Sequence, residues 1–302
     1  MKAMVLAAGL GTRLRPFSEL RPKPLFPIMD RPLLGQIVTR LRDAQFGPIV
    51  VNAHHLSGQI VNFLKDEPDI ILQEEKEILG TGGGLRMALP NFGKDPVLIT
   101  NGDIYHDIDY GWVYDQHQRS DAAVTLVLHD YPRFNNVEVT ADSWIVAFHE
   151  GDLGDFGKHE GRLLAFTGIH VIAPEILSMI PPRTFYNIID CYREIIQRGG
   201  VIRALVVEGH YWTDIGTPGD YLDLHAHLLK GEISMNMASP GTRRDSIYYG
   251  DGAVVAEDVR LDDWVCLGSG CRVDGNVSLA RVVVWDGAHV QAGMTCSDTI
   301  LV

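Results

Sequence analysis

Positive charge is scarce in this chain: 26 lysines and arginines stand against 39 aspartates and glutamates, a formal net charge of −13. Nucleic acids and anionic membrane surfaces are bound mainly through Lys and Arg, so neither is an expected partner. Cysteine is scarce as well. Cys191, Cys266, Cys271 and Cys296 form no C-x-x-C pair and lie near no histidine at zinc-ligand spacing. No zinc motif is therefore seen at these cysteines, and a reduced, cytoplasmic protein is the simplest expectation. Long apolar runs are missing too, for none approaches the roughly 20 residues of a membrane helix. The opening MKAMVLAAG is broken at Gly9 and met by Arg13 before the core of a signal peptide accumulates. A G-x-S-x-G elbow and a cysteine-nucleophile motif are also lacking, and the histidines, among them His54, His55, His106, His129, His170 and His210, show no metal-ligand spacing.

What the chain does have is a short apolar run, Met4 to Ala7, opening into Gly9-Leu10-Gly11-Thr12-Arg13 and then Lys23-Pro24. The apolar run predicts a buried strand. The glycines let backbone N–H groups approach an anion, Thr12 adds a hydroxyl donor, and Arg13 and Lys23 supply positive charge. Arg13, Arg15, Arg21 and Lys23 cluster in one segment of an otherwise acidic chain, as local attraction of phosphate requires. This is not a P-loop, because Arg13 stands four residues beyond Gly9 and no Gly-Lys-Ser/Thr follows. Nor is it a dinucleotide fingerprint, since Leu14 occupies the place of the third glycine. A plain turn with two glycines and surface cations is the alternative.

At 302 residues with 46% apolar content, one large α/β domain with an appendage is expected. Strand-like runs at Pro48–Val51, Ile70–Leu72, Val97–Thr100 and Val124–Leu128 alternate with helical spacings at Leu33–Leu41, Ile60–Leu64, Leu85–Leu89 and Trp112–His117. Such alternation predicts right-handed crossovers and a doubly wound, mostly parallel sheet. Ligands of such sheets sit at the carboxyl ends of strands. One loop in that position is Asn101-Gly102-Asp103, where a glycine releases an aspartate well placed to hold a divalent metal against phosphate oxygens, or merely to cap a turn.

From about Tyr249 the period becomes six. Large residues recur at Tyr249, Val255, Leu261, Leu267, Val273, Leu279 and Trp285, and four places after each stand Ala253, Val259, Val265, Cys271, Val277, Val283 and His289. A hexapeptide repeat predicts a parallel β-helix, here short, and divides the chain into domains 1–235 and 236–302. A short solenoid leaves an uncapped edge that a second copy could cover, so homo-oligomerisation through the tail is expected. Hexapeptide acyltransferases share this repeat but use a catalytic histidine, and His289 reads more simply as a packed or half-exposed residue.

The first segment resembles the signature of the sugar nucleotidylyltransferases, L-x-[AG]-G-x-G-[ST]-R-[LM]-x-P followed by K-P-[LM]-x-P. Every fixed position is filled by Leu6-Ala7-Ala8-Gly9-Leu10-Gly11-Thr12-Arg13-Leu14-Arg15-Pro16 and Lys23-Pro24-Leu25-Phe26-Pro27. Tyr211-Trp212-Thr213-Asp214-Ile215-Gly216-Thr217-Pro218 resembles the family's W-x-D-I-G-T-P element, with a helix expected from about Pro218. Glu75-Lys76-Glu77-Ile78-Leu79-Gly80-Thr81-Gly82-Gly83-Gly84 is similar to E-x-E-P-L-G-T-A-G of guanylyltransferases and to E-T-G-G-G of N-acetylmuramate-1-phosphate uridylyltransferases. The tail is similar to the left-handed β-helices of several family members.

This resemblance implies a Rossmann-like nucleotidyltransferase fold and transfer of a nucleotidyl group from a nucleoside triphosphate to a sugar 1-phosphate. It implies Arg13, Lys23, Asp103 and Asp214 as catalytic residues, with Asp103 and Asp214 binding Mg²⁺. Leu6, Ala8, Gly9, Gly11, Thr12, Arg13, Glu75, Gly80 and Thr81 are the implied nucleotide contacts, the backbone around Gly80 and Thr81 meeting the base as a glycine loop. Glu150, Thr167 and Gly168 are the implied sugar-phosphate contacts, from Phe148-His149-Glu150 and Phe166-Thr167-Gly168-Ile169. One position departs from the pattern: Gly151 stands where the family's F-x-E-K-P has a lysine. That departure keeps open a binding or regulatory module without turnover, and the repeat keeps open acyl transfer. Asp107, beside Asp103, is expected to face solvent.

Overall fold

The computed structural model describes residues 1–150, 161–234 and 240–302; Gly151 and the expected domain boundary at 235/236 lie outside them. The chain forms two compact units that cut it differently from the repeat. One comprises Met1–Gly9, Val38–Gly102 and Ile108–Trp212, the other Leu10–Ile37, Asp103–Asp107 and Thr213–Val302. Helix α1 (Leu33–Asp43) belongs in part to each.

In the first unit, strand β1 (Lys2–Leu6) is central, and its Ala3, Met4 and Val5 are wholly buried, as a continuous apolar run requires. It pairs in parallel with β2 (Ile49–Ala53) and, on its other side, with β4 (Val97–Asn101); β2 pairs in parallel with β3 (Ile70–Glu74). Helices α2 (Ser57–Leu64) and α3 (Gly80–Ala88) make the crossovers from β2 to β3 and from β3 to β4. Helix α4 (Tyr110–Gln118) follows, its first turn held by the Asp109 carboxylate, which accepts from Trp112 N–H at 2.9 Å.

Beyond β4 the sheet ceases to be parallel. After β5 (Val124–His129), β6 (Val137–Val139) and β7 (Ile145–Phe148) comes β8 (Arg162–Ile172), which runs antiparallel to β4, β5 and β6, and β7 is antiparallel to β6. Strand β9 (Arg203–Val206) pairs with β5 in parallel. The sheet is therefore mixed, with the order β7-β6-β8-β4-β1-β2-β3, while β5 branches from β8 and β9 pairs with β5. Apolar runs locate strands but carry no sign of direction, so the expectation of a mostly parallel sheet is corrected here. Met4, Ile99, Leu126, Ile172 and Tyr192 share one core, the last from helix α5 (Ile188–Gln197).

In the second unit, helix α6 (Pro218–Lys230) begins where expected. Thr217 Oγ1 accepts from Asp220 N–H at 3.2 Å, Pro218 fills the first turn, and Gly231 (φ 74°) ends the helix. The C-terminal strands β10 (Ile247–Tyr249), β11 (Arg260–Leu267), β12 (Ser278–Val284) and β13 (Thr295–Leu301) stack as parallel neighbours, and a second three-stranded sheet repeats the pattern. Ile247 faces Val265 and Leu261 faces Leu279, each partner one 18-residue period on. Then the frame slips: Asp262 faces Ala280 but Val265 faces Val282, so one residue has been lost. The interior cluster consequently contains Val265, Leu267, Cys271, Val273, Val277 and Leu279 in phase, then Val282, Val284, Ala288 and Val290. Val283, Trp285 and His289, expected to continue the repeat, are displaced from that interior. Trp285 instead packs edge-on against Phe26, with ring centroids 4.9 Å apart.

Candidate active site

Four of the expected residues meet in the second unit. Lys23 opens a 3-10 turn, Lys23–Leu25, framed by Pro22 and Pro24, which set the backbone so that its side chain points inward. Its Nζ donates to Asp103 Oδ2 and to Asp214 Oδ1, both at 2.7 Å. The lysine side chain is 8% exposed. The other oxygen of Asp214 accepts from Arg13 Nη2 at 3.3 Å, and Ile215 N–H donates to the Asp103 carbonyl at 3.2 Å, joining the two acid-bearing segments. Burial works to lower the pKa of Lys23, but the two carboxylates outweigh it and hold the pKa above its ordinary value. The lysine is therefore a fixed ammonium. With Arg13 on the outer oxygen, two positive and two negative groups balance, and the half-exposed guanidinium and Asp103 remain open to solvent.

Gly216 has its own reason to be glycine. A Cβ there would lie 2.8 Å from Asp214 Oδ2 and 2.9 Å from Arg13 Nη2, inside the ion pair. Gly11 takes a left-handed conformation (φ 61°) at the head of the 3-10 turn Thr12–Leu14, with Thr12 exposed. The local cationic cluster is smaller than expected. Arg21 is committed to Asp286 by two bonds of 2.6 and 3.0 Å, and Arg15 pairs with Glu19 at 3.3 Å. Asp107 is exposed, as expected.

In the first unit, the strand end bearing Leu6 and Ala8 is fixed by a buried polar chain. Ala7 N–H donates to Asn52 Oδ1 at 2.7 Å, Asn52 Nδ2 donates to Glu75 Oε1 at 2.7 Å, and Leu79 N–H donates to Glu75 Oε2 at 3.1 Å. Glu75 thus spends both oxygens inside the protein, linking the end of β1 to the start of α3. Asn52 is missing from the expected residues, although a lone amide in the wholly buried strand IVVNA is a legible signal. Gly9, by contrast, is exposed, and a Cβ on it would meet nothing within 4 Å, so no packing demand explains this glycine.

The glycine run is corrected from loop to helix: Gly80–Ala88 is α3. Gly82 and Gly83 N–H both donate to the Tyr186 carbonyl, at 2.8 and 3.2 Å. A Cβ on Gly83 would lie 2.5 Å from the Thr184 carbonyl oxygen, and one on Gly84 2.8 Å from Glu75 Oε1. These glycines admit the neighbouring chain at van der Waals distance, which overrides their poor helix propensity. Gly80 is left-handed (φ 70°), and Thr81 Oγ1 accepts from Ile188 N–H at 3.0 Å.

Thr167 and Gly168 form a bulge where the pairing of β8 with β5 shifts between Phe166 and His170. The Thr167 hydroxyl donates to the Val127 carbonyl at 2.8 Å, and the Thr167 carbonyl accepts from Trp212 Nε1 at 2.8 Å. A side chain on Gly168 (φ 80°) would strike the Asn101 amide, 2.5 Å away. Both residues are sheet structure in their own right. Glu150 is exposed and pairs with Arg193 at 2.7 Å.

The model of the nucleotidyl transferase family matches residues 2–231, and the chain belongs to that family. It is 28% identical to the mannose-1-phosphate guanylyltransferase of Mycobacterium tuberculosis, over 96% of this chain and 81% of that one. It is 32% identical to the N-acetylmuramate alpha-1-phosphate uridylyltransferase of Neisseria meningitidis, over 72% of this chain and 94% of that one. The crystal structure of HddC from Yersinia pseudotuberculosis complexed with GMP-PN has a TM-score of 0.62 at 25% identity, covering 74% of this chain and 97% of that one. Among the described residues no helix is long and apolar enough to cross a membrane.

Proposed function

We propose that this chain is a sugar-1-phosphate nucleotidylyltransferase. An oxygen of the sugar phosphate attacks the α-phosphorus of a nucleoside triphosphate, a new P–O bond forms, the α,β-bridging bond breaks, and pyrophosphate leaves with the bond's electrons. The observation that carries the reading is Lys23, buried between Asp103 and Asp214 with Arg13 beside it. No general base is needed, because the attacking phosphate is already ionised near neutral pH. The chemical task is to bring two anions together, and Lys23 and Arg13 offset their repulsion.

The family is typically dependent on a divalent metal, and the donor set here fits a hard one. Asp103 and Asp214 offer only carboxylate oxygens, the hard donors that a small divalent cation takes together with phosphate oxygens and water. We read the ion as Mg²⁺, which when bound would add positive charge for the triphosphate. Leu6, Ala8, Gly9, Gly11, Thr12, Gly80 and Thr81 are proposed to contact the nucleotide, with the open space at Gly9 supporting its part. Glu75 supports that surface through Asn52 and Leu79. Glu150, Thr167 and Gly168 are assigned to the sugar phosphate, Thr167 and Gly168 through the shape of the bulge.

For the tail, the parallel strands at 17- and 18-residue offsets support a left-handed β-helix of hexapeptide repeats, with 236–302 as a domain and homo-oligomerisation as its role. Free cysteines accord with a cytoplasmic location. Pyrophosphate release, measured against a panel of nucleoside triphosphates and sugar 1-phosphates with and without chelator, tests the activity. Release from one pair, abolished by chelator, is the expected result. Triphosphate binding without release would mean a regulatory module, and consumption of an acyl donor that fails on changing His289 would mean acyl transfer.

A further inference from the structure

The segment that carries Lys23 is bracketed on both sides by one corner of the C-terminal strand stack. Two residues before the lysine, Arg21 lies over the Trp285 ring, 4.6 Å from its centroid, and donates its two hydrogen bonds to the Asp286 carboxylate. Three residues after it, Phe26 meets the same Trp285 and also Tyr221, edge-on at 4.9 and 5.6 Å. Trp285 Nε1 donates to the Tyr221 hydroxyl at 3.2 Å, and that hydroxyl donates in turn to the Pro27 carbonyl. Phe17 closes the ring cluster at 6.1 Å from Trp285. Two further bonds hold Met29: its N–H donates to His225 Nε2 at 3.1 Å, and its carbonyl accepts from Cys266 Sγ at 3.5 Å.

This arrangement costs the strand stack its regular repeat. An unbroken 18-residue frame would pair Leu267 with residue 285; the slip pairs it with Val284 and turns the indole toward Phe26. The indole is nevertheless buried, at 3% exposure, and its N–H is satisfied. A tail that served only to stack would have no need for this departure.

We propose that Trp285 and Asp286 are positioning residues for Lys23: by gripping Arg21 and Phe26–Pro27 they hold the intervening turn so that the ammonium reaches Asp103 and Asp214 together. The inference rests on the reading of Lys23 as catalytic, and it makes the C-terminal strands part of the active-site framework rather than an appendage. The ammonium touches two carboxylates at 2.7 Å, so a displacement of the turn by about an ångström breaks at least one contact, and misplacement on that scale can cost up to about a hundredfold in rate.

The test uses the full chain with three variants, Asp286→Asn, Trp285→Phe and Tyr221→Phe, the last removing only the hydroxyl between the indole and Pro27. Two readouts are taken: kcat with KM for each substrate, and the rate at which an amine-acylating reagent labels Lys23, followed by mass spectrometry. Expected are a fall in kcat of about tenfold or more and faster labelling of Lys23, with native melting retained in at least the two conservative aromatic variants. Exchanging the charges, Arg21→Asp with Asp286→Arg, restores much of the rate lost in Asp286→Asn. Unchanged kcat and unchanged labelling in the folded variants would overturn the inference, as would lowered melting temperature with neither readout moved. Altered labelling in these variants, together with full activity of Lys23→Met, would leave the positioning intact and overturn the catalytic reading of Lys23.

Discussion

Lys23 Nζ and Asp214 Oδ1 lie 2.7 Å apart although 191 positions separate them in the chain. The lysine arrives on a proline-framed turn and the aspartate just ahead of a capped helix, and neither local structure requires the other. Their meeting, together with Asp103, concentrates the proposed chemistry at one ammonium.

Replacing Lys23 by Met removes that ammonium and leaves two carboxylates facing each other. The rate of pyrophosphate release should fall by about a hundredfold or more, by analogy with the loss of one preorganised donor. Folding stability should fall as well, by roughly 1–3 kcal/mol, since Asp214 loses its buried ammonium partner while the more open Asp103 regains water. Steady-state kinetics and urea unfolding on the same preparation measure both. The pKa of Lys23 is raised, so its contribution to stability is complete below the unfolded lysine value and is lost only as pH climbs through the folded one. Titration to pH 9 should therefore leave it intact.

Two glycine substitutions should separate packing from ligand approach. In Gly216→Ala the new Cβ would sit 2.8 Å from Asp214 Oδ2 and 2.9 Å from Arg13 Nη2, so these side chains must shift from their present positions. Affinity for the triphosphate should drop by about tenfold, a loss of roughly 1.4 kcal/mol. In Gly9→Ala nothing lies within 4 Å of the added carbon, so melting should be unchanged while triphosphate binding weakens. Calorimetric titration beside a melting curve distinguishes the two, and a Gly9→Ala protein that binds normally would remove Gly9 from the nucleotide site.

Asn52→Ala breaks the polar chain from Ala7 to Leu79 at its centre. Both the Ala7 N–H and Glu75 Oε1 lose a buried partner, and unsatisfied groups of this kind cost about 1–3 kcal/mol each. A loss of roughly 2–4 kcal/mol in urea unfolding is expected, and a smaller effect in Asn52→Asp at low pH, where the neutral acid keeps an O–H donor for Glu75.

Acid should destabilise the fold through its buried histidines. Burial lowers His225 to about 4, against a smaller opposing effect of the Tyr221 carbonyl, and lowers His170 to about 3. Each is neutral when folded, whereas the unfolded chain takes up a proton near pH 6.5, so stability is lost as pH falls from about 6.5 toward 4. The slope is about 1.4 kcal/mol per pH unit for each such group. His225 adds a specific consequence: its Nε2 accepts from Met29 N–H, and protonation removes that acceptor. His170→Phe should flatten the slope measured by urea unfolding across pH 4 to 7.

Much of the candidate site could be read before any coordinates. The glycine loop, Lys23, Asp103 and Asp214 stand in motifs whose spacing announces them, and the strands and helices they follow lie where apolar periodicity puts them. The glycines at 82–84 were harder, because in isolation a glycine run reads as a flexible loop. Only the approach of Thr184 and Tyr186, a hundred residues on in sequence, makes a helix of it. Arg21 looked like a fourth phosphate cation until Asp286 claimed it.

Local order was decided by the sequence alone: which segments are strands, where α6 begins, that the tail repeats every six residues, and which charges could face an anion. Those features follow from side-chain periodicity, capping and backbone freedom, which act over a few residues. Tertiary structure alone decided the antiparallel run of β8, the slip that turns Trp285 toward Phe26, the burial of Glu75 behind Asn52 and the meeting of Lys23 with two acids. Each of these depends on which distant surface arrives to satisfy a buried group, and no short stretch of chain carries that information.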